Sequence, residues 1–129
     1  MLAALAFAVG TVVFPFDSST LDRADVRACF ERVLKAGGYG HLPLEAAAFL
    51  VRDGDVLECR MWPREVHYHS HVWRGRVPDN TVAIVHSHPA DQPEPSANDT
   101  DIARSLQIPL FVVTPRGVTR TPAADPVNF

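Results

Sequence analysis

What this chain lacks narrows its function before any motif is considered. It has no Lys/Arg cluster, and its twelve basic residues are scattered against fifteen acidic ones. With a net charge of −3 it carries no electrostatic footprint for nucleic acid. Cysteine is scarce: only Cys29 and Cys59 are present. No Pro-Cys-x-x-Cys segment exists, which removes a zinc deaminase from consideration. Each cysteine reads as a buried free thiol, Cys29 on the apolar stripe of a helix and Cys59 in a strand, in keeping with a reducing, cytoplasmic setting.

Long apolar runs are also missing. Residues 1–14 are uncharged and apolar, but the run is too short to span a bilayer as a helix. The first basic residue is Arg23, so the basic start of a secretory signal is lacking. A buried first strand over residues 8–14 is the expectation, with no membrane partner. No internal repeat, low-complexity tract or linker divides the chain, so residues 1–129 are read as one domain.

Periodicity supplies the elements. Val26, Cys29, Phe30, Val33 and Leu34 form the stripe of an amphipathic helix, with Ser19 and Asp22 at its expected start and Gly37-Gly38 at its stop. An apolar run over 44–51, broken only by Glu45, leads to Asp53-Gly54, a hairpin signal that returns the chain through 56–62. Residues 66–73 predict a further strand, 81–85 another, and 110–114 and 118–120 a last pair around Pro115-Arg116-Gly117. A second helix is expected over 97–106 with Ile102 and Leu106 facing inward, and the tail 121–129 loosely held. The result is an α+β domain, a mixed central β-sheet flanked by two helices.

The chemistry sits in residues 86–99, His-Ser-His-Pro-Ala-Asp-Gln-Pro-Glu-Pro-Ser-Ala-Asn-Asp. Strand alternation sends His86 and His88 to one face and Ser87 to the other. Two imidazoles and the Asp99 carboxylate form a three-ligand set that leaves the fourth position of a zinc ion open for water, the plan of a catalytic rather than a structural site. Pro89 stiffens the turn after the histidines. Ser96 followed by Asp99 is at the same time a helix N-cap pattern. Asp101 is an alternative carboxylate, but lies about 200° around the helix from Asp99. His67, His69 and His71 also alternate, without a following proline or a matching acid. They read as a solvated strand face. Trp62, Tyr68 and Trp73 around them read either as core or as an aromatic edge for an extended peptide.

The spacing H-x-H-P-x6-S-x2-D, met by His86, His88, Pro89, Ser96 and Asp99, resembles the signature of the JAMM (MPN-plus) metalloproteases. That family also uses an upstream glutamate, and Pro43-Leu44-Glu45 followed by an apolar strand is similar to its setting in small prokaryotic members. The resemblance implies a fold like that of the JAMM and cytidine-deaminase domains, with one catalytic Zn2+ held by His86, His88 and Asp99. It further implies Glu45 as general base and Ser96 as a donor to the oxyanion. Partial burial is expected to raise the pKa of Glu45 towards that task. Ala47-Ala48-Phe49 departs from the Gly-x-Leu common after the family's glutamate, a change that bears on packing more than on chemistry.

The activity implied is hydrolysis of an amide bond by a zinc-dependent peptidase or isopeptidase. Its expected partner is a ubiquitin-like protein whose C-terminal tail is joined to a lysine or followed by extra residues. Cell-wall or phage-tail-associated peptides are the alternative substrates, and a non-catalytic scaffold of the same fold is the non-enzymatic alternative.

Overall fold

The computed structural model describes residues 16–42, 44–63, 73 and 75–121. The elements run α1 (Ser18–Leu21), α2 (Ala24–Ala36), a 3-10 turn (Gly38–Gly40), β1 (Ala47–Asp53), β2 (Val56–Met61), β3 (Thr81–Ser87), α3 (Ala97–Leu106), β4 (Leu110–Thr114) and β5 (Gly117–Arg120). The strands form one sheet in the order β2-β1-β3-β4-β5. All pairings are antiparallel except β3 with β4, which is parallel, so the sheet is mixed and the domain α+β as expected. The expected strand over 8–14, that over 66–73 apart from Trp73, the histidines His67, His69 and His71, Tyr68, Pro43 and the tail 122–129 lie outside the described residues.

Alternation along β1 and β3 builds two cores, one on each face. Ala48, Leu50, Ala83, Val85, Phe111 and Val113 pack against Val26, Cys29, Phe30 and Val33 of α2. On the other face Phe49, Val51, Ile84, Leu110 and Val112 meet Ala103 of α3. Trp62 and Trp73, both partly buried, pack against Phe49 there, with ring centroids 5.2 and 4.8 Å away. Ile102 is partly buried as expected. Leu106, at the last position of α3, is 38% exposed, and Ala103 one turn earlier makes the contact instead.

Three other expectations are corrected. The first helix is split. Asp17, rather than Ser19, caps the short α1 through the Thr20 amide, and α2 begins after Arg23 with no side-chain cap. The 44–51 run starts as a strand only at Ala47, with Leu44 in an isolated bridge and Glu45 and Ala46 between the two. Cys29 and Cys59 are not free thiols: they form a disulfide joining α2 to β2, with Cα atoms 5.4 Å apart. Leu50 pairs with Cys59 across β1 and β2, so Cys59 shares the sheet face that α2 covers. Among the described residues no helix is long and apolar enough to cross a membrane.

Candidate metal centre

His86 is the penultimate residue of β3, paired on one side with Ala47 of β1 and on the other with Val112 of β4. It shares its face with Ile84, the α3 side of the sheet, and His88 follows on that side while Ser87 turns to the α2 side, as alternation requires. Both imidazoles are nearly buried, 6% and 7% exposed. Their planes stand at 83° to each other, with Nε2 atoms 2.8 Å apart.

The outer ring nitrogens determine what the inner ones present. His86 Nδ1 lies 3.2 Å from the Phe111 carbonyl, and His88 Nδ1 lies 2.9 Å from the Gln92 carbonyl. A carbonyl only accepts, so each Nδ1 carries the proton, and in the neutral imidazole each Nε2 then turns a lone pair inward. Asp99 Oδ2 joins them, 3.2 Å from His86 Nε2 and 3.3 Å from His88 Nε2. Two lone pairs and a carboxylate oxygen thus converge with no donor among them. Such a cluster is repulsive unless a proton or a cation sits between its members. The carbonyl-to-imidazole contacts also match the outer-shell pattern that orients zinc-binding histidines.

The spacing fits the same ion. Ligand bonds of 2.0–2.1 Å in a tetrahedron place neighbouring donors about 3.3 Å apart. The two contacts of Asp99 match that edge, while the 2.8 Å between the imidazoles is shorter. The donor chemistry of His86, His88 and Asp99 therefore suits zinc.

Asp99 is held from behind. It is the third residue of α3, and it forms a reciprocal capping box with Ser96. Ser96 Oγ accepts from the Asp99 amide at 3.1 Å, and the Ser96 amide donates to Asp99 Oδ2 at 2.8 Å. The capping reading of Ser96 is thus realised, and its own O–H is not consumed by that bond. Asp101 is exposed on α3 and stands apart from the cluster. The loop before α3 is pinned by Thr119 Oγ1, which donates to the Pro93 carbonyl at 2.6 Å.

Glu45 comes from a different part of the chain, two residues before β1. Its Oε1 lies 3.5 Å from His88 Nε2 and 3.9 Å from His86 Nε2, with the side chain 13% exposed. Glu45, His86 and His88 offer donor atoms all within 4.8 Å of one another. Two carboxylates therefore compete to complete the pair. Asp99 is nearer to His86, nearer to His88 by 0.2 Å, and fixed by the Ser96 amide, whereas Glu45 stands further from both imidazoles.

Electrostatics follow from this crowding. Burial pulls the His88 imidazole down, but Asp99, the Gln92 carbonyl and the charge of Glu45 outweigh it, and the net shift is upward. Burial pushes the Asp99 carboxyl up, yet contacts with His86 and His88 and the Ser96 amide hold it well below the usual carboxylate range.

Some participants left no trace in the sequence. The carbonyls of Phe111 and Gln92 belong to residues whose side chains are irrelevant to the task, so no motif marks them. Gly37, read as a helix stop, also leaves space at which Ser87 packs. No family model matches the chain, and no curated protein matches it.

Proposed function

We propose that the chain is a zinc-dependent peptidase or isopeptidase, with His86, His88 and Asp99 holding one Zn2+. What supports the reading is the convergence of two inward lone pairs and the Asp99 carboxylate, with a second carboxylate, Glu45, within 4 Å of both imidazoles. When bound, zinc supplies a Lewis acid that lowers the pKa of water to about 7 and so makes a nucleophile at neutral pH. Glu45 Oε1 takes the proton of the attacking water and returns it to the leaving amine nitrogen. Ser96 keeps its O–H for the oxyanion while its oxygen caps α3. The Phe111 and Gln92 carbonyls hold the imidazoles in the tautomer that presents Nε2.

The substrate we favour is the extended C-terminal tail of a ubiquitin-like protein, in the cytoplasm. One observation favours a second reading. A Cys29–Cys59 disulfide persists in an oxidising compartment, which suits cell-wall peptides better than cytoplasmic conjugates. The test is to load the protein with zinc and offer both substrates: a ubiquitin-like protein with a C-terminal extension, and cell-wall peptides, read by mass spectrometry. Cleavage of either, reduced by about 10²-fold or more in Glu45→Gln with zinc retained, is the expected result. Full activity in Glu45→Gln would remove Glu45 as the base, and no cleavage of either by the zinc-loaded protein would sink the peptidase proposal.

A further inference from the structure

The pairing of β1 with β3 runs out at Ala47 and His86. One step beyond it, Ser87 takes over both backbone groups of Ala46. Its amide donates to the Ala46 carbonyl at 2.9 Å, and its hydroxyl oxygen accepts from the Ala46 amide, also at 2.9 Å. The second bond matters because the Ala46 N–H belongs to the peptide unit that joins Glu45 to Ala46. A side-chain oxygen thus extends the ladder to the residue carrying the candidate base.

Ser87 is fully buried, on the face opposite the imidazoles. Gly37, just after α2, closes over it: a Cβ at Gly37 would overlap Ser87 Oγ and approach its Cβ to 2.9 Å. The Gly37 backbone, at φ −83°, is open to any residue, so the need for glycine there is one of space alone. Gly37, the Glu45–Ala46 peptide and β3 meet at one hydroxyl, and the residue bearing it lies between the two histidines.

We infer that Ser87 is a positioning residue: its hydroxyl, held beneath Gly37, fixes the Glu45–Ala46 peptide and sets where the Glu45 carboxylate stands relative to the His86–His88 pair. The inference rests on the reading of Glu45 as the base. Removing the hydroxyl leaves His86, His88 and Asp99 with their own partners intact. Zinc affinity and substrate binding should therefore survive while proton transfer suffers.

The experiment compares Ser87→Ala, Ser87→Thr and Gly37→Ala with the parent in the full chain. Three readouts are taken: amide hydrogen exchange at Ala46, Zn2+ affinity by competition with a chromophoric chelator, and kcat and KM on whichever substrate the parent cleaves. In Ser87→Ala the Ala46 amide should lose protection by roughly 100-fold while Phe49 and Leu50 stay protected. Zinc affinity should hold, and kcat should fall by about 10- to 100-fold at constant KM. Ser87→Thr, which keeps the hydroxyl, should restore both protection and rate. Should Ser87→Ala fail to fold, Gly37→Ala displaces the same hydroxyl from the other side and should expose the Ala46 amide in its place.

Unchanged Ala46 exchange in these variants would overturn the inference. So would a loss of zinc in Ser87→Ala as large as that in His88→Ala, since the hydroxyl would then merely hold the strand. The exchange and zinc arms need no substrate. A failure of the peptidase reading, seen as full activity in Glu45→Gln, is therefore distinguishable from a failure of the Ser87 anchor.

Discussion

Reducing the Cys29–Cys59 disulfide should lower the melting temperature by roughly 10 °C or more. The bond closes a loop of 30 residues. Chain-entropy arguments give a denatured-state penalty of about 12 cal/mol/K for such a loop, or about 3.6 kcal/mol at 25 °C. Unfolding entropy near 2.1 cal/mol/K per residue amounts to about 0.27 kcal/mol/K for a domain of this size, which turns that penalty into about 13 °C. Reduction is a cleaner perturbation than substitution. Cys29 is fully buried, and an alanine there would add a packing defect to the lost cross-link. The assay is thermal unfolding by circular dichroism with and without a phosphine reductant, alongside thiol titration of denatured, unreduced protein. Coincident melting curves, or two titratable thiols in the unreduced sample, would refute the reasoning.

Other expectations follow from the site and its supports. Asp99→Ala should weaken zinc binding by more than about 100-fold, beyond the range typical of outer-shell losses, whereas Asp101→Ala should leave it unchanged. Equilibrium dialysis checks this, and the reverse ranking would mean the third ligand is misassigned. Ser96→Ala removes the α3 cap and should destabilise the fold by about 1 kcal/mol. If the hydroxyl also serves the oxyanion, its kcat falls further than that loss explains, and near-normal kinetics would leave Ser96 as a cap alone. Among the described residues, Asp25 carries a strong pH-linked contact outside the site. The Arg23 guanidinium, with the Leu57 and Val26 amides, outweighs burial and holds its carboxyl well below the usual range. Its folded-state pKa is depressed, so its contribution is present above the unfolded value near 3.9 and fades as pH falls through the folded one. Asp25→Asn should therefore be less stable than the parent at pH 7, with the gap closing in acid. Denaturant melts at pH 7 and about pH 2 read this directly, and a constant gap would assign the loss to packing.

What was legible in the sequence was whatever period and local spacing encode. The parity of His86, Ser87 and His88 followed from strand alternation, and the stripe at Val26, Cys29, Phe30 and Val33 followed from helical period. Asp53-Gly54 announced its hairpin, and Gly54 does adopt a left-handed φ of 57°. The position of Asp99 beside the imidazoles depended only on a short loop and one helical turn. Glu45 was different. It stands 41 residues before His86, and only the β1–β3 register brings it near. Its candidacy before the structure rested on resemblance rather than on pattern.

Two features escaped the sequence because their partners are distant in the chain. Nothing local distinguishes a Cys29 that will meet Cys59 from a buried free thiol, because both satisfy an apolar stripe. Gly37 looked like a helix terminator, and its role as the space beneath which Ser87 fits needed the third dimension. Leu106 satisfied the helical period, but it is the last residue of α3 and Ala103 takes the buried position. The split between α1 and α2 accompanies a cap by Asp17, two residues before the serine expected to provide it.

The claim on which the rest depends is that His86, His88 and Asp99 hold one zinc ion. Isothermal titration of Zn2+ into metal-stripped protein tests it most directly, with His86→Ala and His88→Ala as controls. One site per chain in the parent, lost in both variants, is the predicted result. Absence of binding in folded parent protein, or equal binding after either histidine is removed, would contradict it.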